Sequence, residues 1–319
     1  MPRFTMNVPT YKQVDKAHIR VRQYAHRTPI LSSASINRIT GAKLLFKCEN
    51  FQKVGAFKFR GAINAVMSLS DGDAGRGVAT HSSGNHAAAL ALAARKRGVD
   101  AYVVMPENAP DIKKKAVAGY GATIYFCKPT LKARESALAE VIAETGATEI
   151  HPYDNSEVIS GQGTAAKELL EDEGDLDLVL APVGGGGLLA GSALSVSHLS
   201  PGTKLIGCEP EGADDAYRSF LKGEIVPSNN PKTIADGLLT SLGNRNFAII
   251  KEKVEQIVTV SEDSIVEAMR LVWERMKIVI EPSSAVPLGA ILEEKIDPRN
   301  QKIGIIISGG NLDLENLPF

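Results

Sequence analysis

The feature that most limits the fold is an alternation repeated along the chain. Short apolar runs read as strands: "KLLFKCE" (43–49), "GVATHSS" (77–83), "AYVVMP" (101–106), "ATIYFC" (122–127), "LDLVLAPV" (176–183), "KLIGCEPE" (204–211) and "KIGIIISGGN" (302–311). Between them lie helical patterns: "AAALALAARKRG" (87–98), "APDIKKKAVAGYG" (109–121), "LKARESALAEVIAETG" (131–146), "LLAGSALSVSHL" (188–199) and the capped "SEDSIVEAMRLVWERMK" (261–277). Strands alternating with amphipathic helices point to an α/β fold with mostly parallel sheets. Parallel strands covered on both faces read as unbroken apolar runs, as these do.

The 319 residues make one large domain or two packed together. A net charge of −1 favours neither nucleic acid nor an anionic membrane as partner. No apolar run reaches the length of a membrane span. The start, "MPRFTMNVPTYKQ", lacks the apolar core of a signal peptide. Cys48, Cys127 and Cys208 are few, odd in number and widely spaced. They suit reduced thiols in a cytoplasmic protein, not a disulfide framework or zinc cluster.

In open α/β sheets ligands bind beyond the carboxyl ends of strands, and three loops stand there. In "APVGGGGLLAG" (181–191) four glycines lie between a strand and a helix. Backbone N–H groups can approach an anion without an intervening Cβ, and the helix start adds positive potential. A phosphate is the natural ligand. "THSSGNHAAA" (80–89) offers hydroxyls, an amide and backbone N–H groups to a carboxylate, although a helix cap needs only one of them. In "IISGGN" (306–311), Ser308 ends a deeply apolar strand.

A fourth stretch, "VGAFKFRGA" (54–62), sets Lys58 between Phe57 and Phe59. A lysine with desolvated ammonium loses basicity and becomes a nucleophile for carbonyls. The plain alternative is a lysine whose stem snorkels along apolar neighbours. An amine, a phosphate cup and a carboxylate loop together suit pyridoxal 5′-phosphate, an aldehyde that needs all three. The rival is a nicotinamide-dependent oxidoreductase. Gly185, Gly187 and Ala190 fit the loose dinucleotide pattern, with Glu209 a strand later. That pattern arises by accident in any glycine run and leaves Lys58 without a role.

The blocks "FKCENFQKVGAFKFRGA", "SSGNHA", "ISGQGTAAKEL", "GGGGLLAGSA", "EPEGADDAYRS", "KTIADG", "MKIVIEPSSAV" and "SGGNLDLE" resemble the serine racemase and serine/threonine dehydratase family. The resemblance spans nearly the whole chain, in the family order. "THSSGNH", "EPEGADDAYRS", "EPSSAVPL" and the ending "GGNLDLENLPF" are most similar to bacterial 3-hydroxyaspartate dehydratases. The resemblance implies the tryptophan-synthase-β-like fold, fold type II, with two open, mostly parallel sheets flanked by helices. It implies a discontinuous large domain, residues 1–68 and 157–319, and a small domain, residues 78–155, closing over the substrate. It also implies a homodimer.

The resemblance further implies roles. Lys58 matches the Schiff-base lysine, with Phe57 beside the cofactor ring. Gly184, Gly185, Gly186, Gly187 and Leu188 match the phosphate cup. Asn85 matches the partner of the pyridoxal hydroxyl, and Ser308 that of the pyridine nitrogen. Ser82, Ser83, Gly84, Asn85 and His86 match the substrate-carboxylate loop, and Ser83 also matches an acid/base facing Lys58 from the opposite side. A hydroxyl at the pyridine nitrogen favours β-elimination over transamination. The implied reaction takes a β-hydroxy amino acid, 3-hydroxyaspartate before serine or threonine, to a 2-oxo acid and ammonia. Racemisation on the same site is the alternative.

Two sites stand apart. In "CEPEGADDAYRS" (208–219), Glu209 and Asp215 are hard oxygen ligands. The resemblance adds the Ala213 carbonyl and implies bound Mg²⁺, Mn²⁺ or Ca²⁺. His81 borders the carboxylate loop and is a candidate donor to a substrate's second carboxylate. Its plainer role is that of a partly buried polar side chain.

Overall fold

The computed structural model describes residues 7–319, apart from Ser83 and Pro110 and the side chain of Ile112. Its strands are β1 (Ile30–Leu31), β2 (Lys43–Cys48), β3 (Val78–His81), β4 (Ala101–Pro106), β5 (Thr123–Cys127), β6 (Thr148–Glu149), β7 (Leu178–Pro182), β8 (Lys204–Pro210), β9 (Gln256–Val260) and β10 (Lys302–Ile307). Six form one sheet in the order β1-β2-β10-β7-β8-β9, and four form another in the order β5-β4-β3-β6. Among the described strands only β1 pairs antiparallel, to β2; the other strand-to-strand pairings are parallel.

The larger sheet is covered on both faces, which explains its unbroken apolar strands. Leu44, Phe46, Leu180 and Ile305 join one apolar cluster, while Leu45, Val179, Ala181 and Ile306 join the other. Neighbours along a strand point to opposite faces, so each run feeds two cores. Helices start where side chains satisfy their free N–H groups. Asn155 accepts from Glu157 and Val158 N at 2.9 and 3.1 Å, opening the helix Ser156–Glu173. Ser261 does the same for Glu262–Met276.

Parallel strands carry their following loops to one end. The loops after β2, β3, β7 and β10 hold Lys58, residues 82–86, the glycines and Ser308 respectively. Two of them are tied directly: Phe57 N donates to Ser308 O at 2.9 Å, and Ala56 bridges Gly309. Lys58 is the first residue of the helix Lys58–Ser68. Two residues on, the fully buried Arg60 pairs with Glu49 at 2.7 Å and with Glu168 at 2.8 Å. Lys47 Nζ meets Glu168 at 2.7 Å, so two cations face two carboxylates. This network pins the start of the lysine helix to β2 and to the helix Ser156–Glu173.

Candidate active site

The four loops enclose a cavity of about 400 Å³. Phe57, Lys58, Ser82, Gly84, Asn85, His86, residues 184–188 and Ser308 all line it, so the geometry gathers what the sequence scatters. Ser83 lies outside the described residues.

Lys58 Nζ donates to the carbonyl of Pro152 at 3.1 Å and lies 5.1 Å from the centre of the Phe57 ring. Burial lowers its pKa to about 8, against a smaller opposing pull from Glu281. At pH 7 that leaves about a tenth of the amine neutral, far more than an ordinary lysine offers, and the neutral amine is the nucleophile. The two phenylalanines play different parts. Phe59 is fully buried in the core, and Phe57 alone reaches the cavity.

The glycine run forms a cradle that side chains would fill. A Cβ on Gly185 would stand 2.4 Å from the Tyr153 ring, and one on Gly184 would stand 2.8 Å from Leu238 Cα. Gly186 has φ +88°, in the left-handed region, and caps the helix Gly187–Leu199. The N–H groups of residues 184–188 have no acceptor among the described residues. Asn246 Nδ2 and Gly243 N hold the loop from behind through Gly185 O, at 2.6 and 3.1 Å. Free donors at a helix start, with no Cβ in the way, fit a phosphate.

Ser308 Oγ lies 3.0 Å from Ser284 Oγ. The single Ser284 hydrogen goes to Gly309 O at 2.7 Å, so Ser308 is the donor of the pair. Rotation about its C–O bond would turn that one hydrogen from Ser284 toward the cavity, where it suits an unprotonated ring nitrogen. Asn85 is fixed by neighbours the sequence does not bring to notice. Its Nδ2 faces both Glu281 oxygens, and its Oδ1 accepts from Asn311 Nδ2 at 2.9 Å. Burial, then the charge of Asp236, raises Glu281 to about 7.

His81 and His86 are neutral near pH 7. Burial lowers His86 to about 3, and its Nε2–H donates to Ile150 O at 3.1 Å. Burial, then the charge of Arg134, lowers His81, whose Nδ1 is buried without a partner. His81 can therefore hydrogen-bond but is poorly placed to carry charge. Arg134 sits in an ordinary helical pattern that gives no hint of a site. In the structure it lines the cavity, and its Nε is buried without a hydrogen-bond partner.

The acidic loop lies elsewhere. Glu209 is fully buried, accepts from Ala216 N at 2.9 Å and Tyr217 N at 2.8 Å, and is raised by burial to about 9. Bound in this way, Glu209 is not presented to a ribose, as the nicotinamide reading requires. Asp215 is fully buried, raised by burial to about 6, and neither carboxylate oxygen has a hydrogen-bond partner. Ala213 lies in the turn between them, 4% exposed. No group of three or more His, Cys, Asp or Glu is arranged for a metal among the described residues. The site therefore rests on two carboxylates and a carbonyl. Arg218 pulls on Asp215 only from a distance, its ion pair being with Asp214, and buried carboxylates without an ion-pair partner fit a hard cation.

Residues 21–309 match the family described as pyridoxal-phosphate dependent enzymes. The chain is 51% identical to a beta-hydroxyaspartate dehydratase of Paracoccus denitrificans, across 98% of this chain and 100% of that one. It is 50% identical to an L-threo-3-hydroxyaspartate ammonia-lyase of Saccharomyces cerevisiae, across 97% and 95%. The solved serine racemase of Dictyostelium discoideum superposes with a TM-score of 0.92 at 52% identity, covering 96% and 99%.

Proposed function

This chain belongs to the pyridoxal-phosphate-dependent enzymes, and from that premise we propose that it dehydrates and deaminates a β-hydroxy amino acid, 3-hydroxyaspartate above serine or threonine. The carrying observation is one cavity that holds a half-buried amine of lowered pKa, a glycine cradle with free N–H groups and a neutral hydroxyl. The relatives named for 3-hydroxyaspartate support the substrate class.

In this reading Lys58 bonds the cofactor aldehyde, residues 184–188 hold its phosphate, Asn85 its hydroxyl and Ser308 its ring nitrogen. The cofactor, when bound, withdraws electrons from the substrate Cα and makes its proton removable. Lys58 Nζ, neutral after release, takes that proton. The β-hydroxyl leaves with one proton as water, and a second water replaces nitrogen by oxygen, giving a 2-oxo acid and ammonia. Residues 82–86 take the α-carboxylate, Ser83 by family resemblance alone. The side-chain carboxylate of 3-hydroxyaspartate falls to Arg134, with neutral His81 as an auxiliary donor. Arginine offers the fork that a carboxylate accepts.

The four-stranded sheet lies within residues 78–155, which we propose as the small domain closing over the substrate, with residues 1–68 and 157–319 as the large one. A divalent cation at Glu209, Ala213 and Asp215, a homodimer and a cytoplasmic location complete the proposal. No described helix is long and apolar enough to cross a membrane.

A racemase is the second reading, favoured by the superposition on a solved serine racemase. It requires Ser83 to return a proton to the face opposite Lys58. One assay separates the two: ammonia and enantiomer ratio measured for each stereoisomer of serine, threonine and 3-hydroxyaspartate. Ammonia release greatest from a 3-hydroxyaspartate isomer supports the dehydratase. Inversion without ammonia overturns it.

A further inference from the structure

Lys113 and Asp236 form an ion pair, and both line the active-site cavity. Lys113 stands on the helix Asp111–Gly119, beside the four-stranded sheet, while Asp236 opens a short turn, Asp236–Leu238, that packs with the larger sheet. The lysine side chain is 20% exposed and the aspartate 52%.

The ammonium also lies against the loop assigned to the substrate. A Cβ on Gly84 would stand 3.8 Å from Lys113 Nζ. Glu281, on the same wall, feels Lys113 and Asp236 in opposite directions. Lys113 is thus a largely buried cation between the carboxylate loop and a half-exposed anion. A buried ammonium with no counter-charge is costly, so the free protein must supply one. A partner half in water is held weakly and returns to solvent readily.

We propose that Lys113 binds the substrate α-carboxylate and that Asp236 is its stand-in, displaced when the substrate enters. This rests on the reading that residues 82–86 receive that carboxylate. The exchange swaps one anion for another, so the ammonium keeps its charge balance throughout. It also unties the helix Asp111–Gly119 from the Asp236 turn, coupling substrate entry to the freedom of the cavity mouth. Lys113 would serve every amino-acid substrate alike, unlike Arg134, which serves only those with a second carboxylate.

The test uses the cofactor-loaded protein and propionate, an unreactive monocarboxylate with no amine. Its dissociation constant is measured by calorimetry beside KM and kcat for serine and 3-hydroxyaspartate. Lys113→Met should raise the propionate constant and both KM values roughly tenfold or more, the loss expected for a charge-assisted contact, with kcat little changed. Asp236→Asn should lower all three severalfold, because the competitor is gone. The double variant should match Lys113→Met, since Asp236 acts only through the lysine. Lys113→Arg should recover part of the affinity. Unchanged propionate binding in Lys113→Met, or weakened binding in Asp236→Asn, would overturn the proposal. The propionate pattern without turnover of any hydroxy amino acid would leave Lys113 in place and remove the proposed function. Turnover without the propionate pattern would remove the Lys113 assignment alone.

Discussion

Asn85 Nδ2 donates to both carboxylate oxygens of Glu281, at 3.1 and 3.2 Å. The pair fixes which end of the Asn85 amide faces the acid. Glu281 is 3% exposed and is raised by burial from the ordinary 4.5 to about 7. The folded protein therefore holds this proton more tightly than the unfolded chain does. The stabilisation is complete below pH 4.5 and is lost as pH rises to about 7. Melting of the cofactor-stripped protein should fall across that window, and Glu281→Gln should flatten the fall. An unchanged slope in the variant would show that Glu281 does not titrate there.

Lys58→Ala should fold, because it removes a cavity-facing side chain and no core volume. Turnover should be essentially abolished, and borohydride should no longer fix the cofactor to the chain by mass spectrometry. Elimination near the wild-type rate would refute the role.

Gly185→Ala places a methyl where the Tyr153 ring stands, 2.4 Å away. The ring or the loop must move, and the N–H groups of the cradle move with it. Cofactor affinity should fall at least roughly tenfold, as expected when one charge-assisted contact of the phosphate is lost. Equilibrium titration with pyridoxal phosphate measures this, and unchanged affinity would place the phosphate elsewhere.

Chelation should lower the melting temperature, and Mg²⁺, Mn²⁺ or Ca²⁺ should restore it, because a cation bound only by the folded state stabilises that state. Asp215→Ala should remove the response. A chelated protein with unaltered melting would leave Glu209 and Asp215 as buried, protonated acids.

Arg134→Met should cut kcat/KM for 3-hydroxyaspartate roughly ten- to hundredfold, the loss of one charge-assisted contact, while sparing serine. His81→Phe should have the smaller effect, since a neutral imidazole supplies one ordinary hydrogen bond. Equal losses for both substrates in Arg134→Met would make the arginine structural.

Much of the fold is legible because its signals are local. "AYVVMP" coincides with β4, and the "KLLFKCE" and "KIGIIISGGN" runs contain the paired strands β2 and β10. The helix Ser156–Glu173 is harder to see, because Gly161 and Gly163 dilute its pattern. Both are there for close packing: a Cβ on Gly161 would meet Arg60 O at 2.5 Å, and one on Gly163 would meet Gly191 O at 2.6 Å. Glycine lowers helix propensity where a neighbouring backbone must come close, so the cause lies outside the segment that shows the effect.

The sequence by itself determined the alternation of strands and helices, the lysine after β2, the glycine run after β7 and Ser308 after β10. These depend on side-chain period and on glycine's backbone freedom, which act over a few residues. Only the tertiary structure decided the electrical state of the site. The amine of Lys58 loses basicity inside a cavity whose wall includes Pro152, 94 residues away. His81 is neutral because it is buried near Arg134, and Glu281 is held between Asn85 and Asn311. Desolvation and Coulomb terms depend on distance in space, and distances between remote segments exist only once the two sheets have brought their loops together.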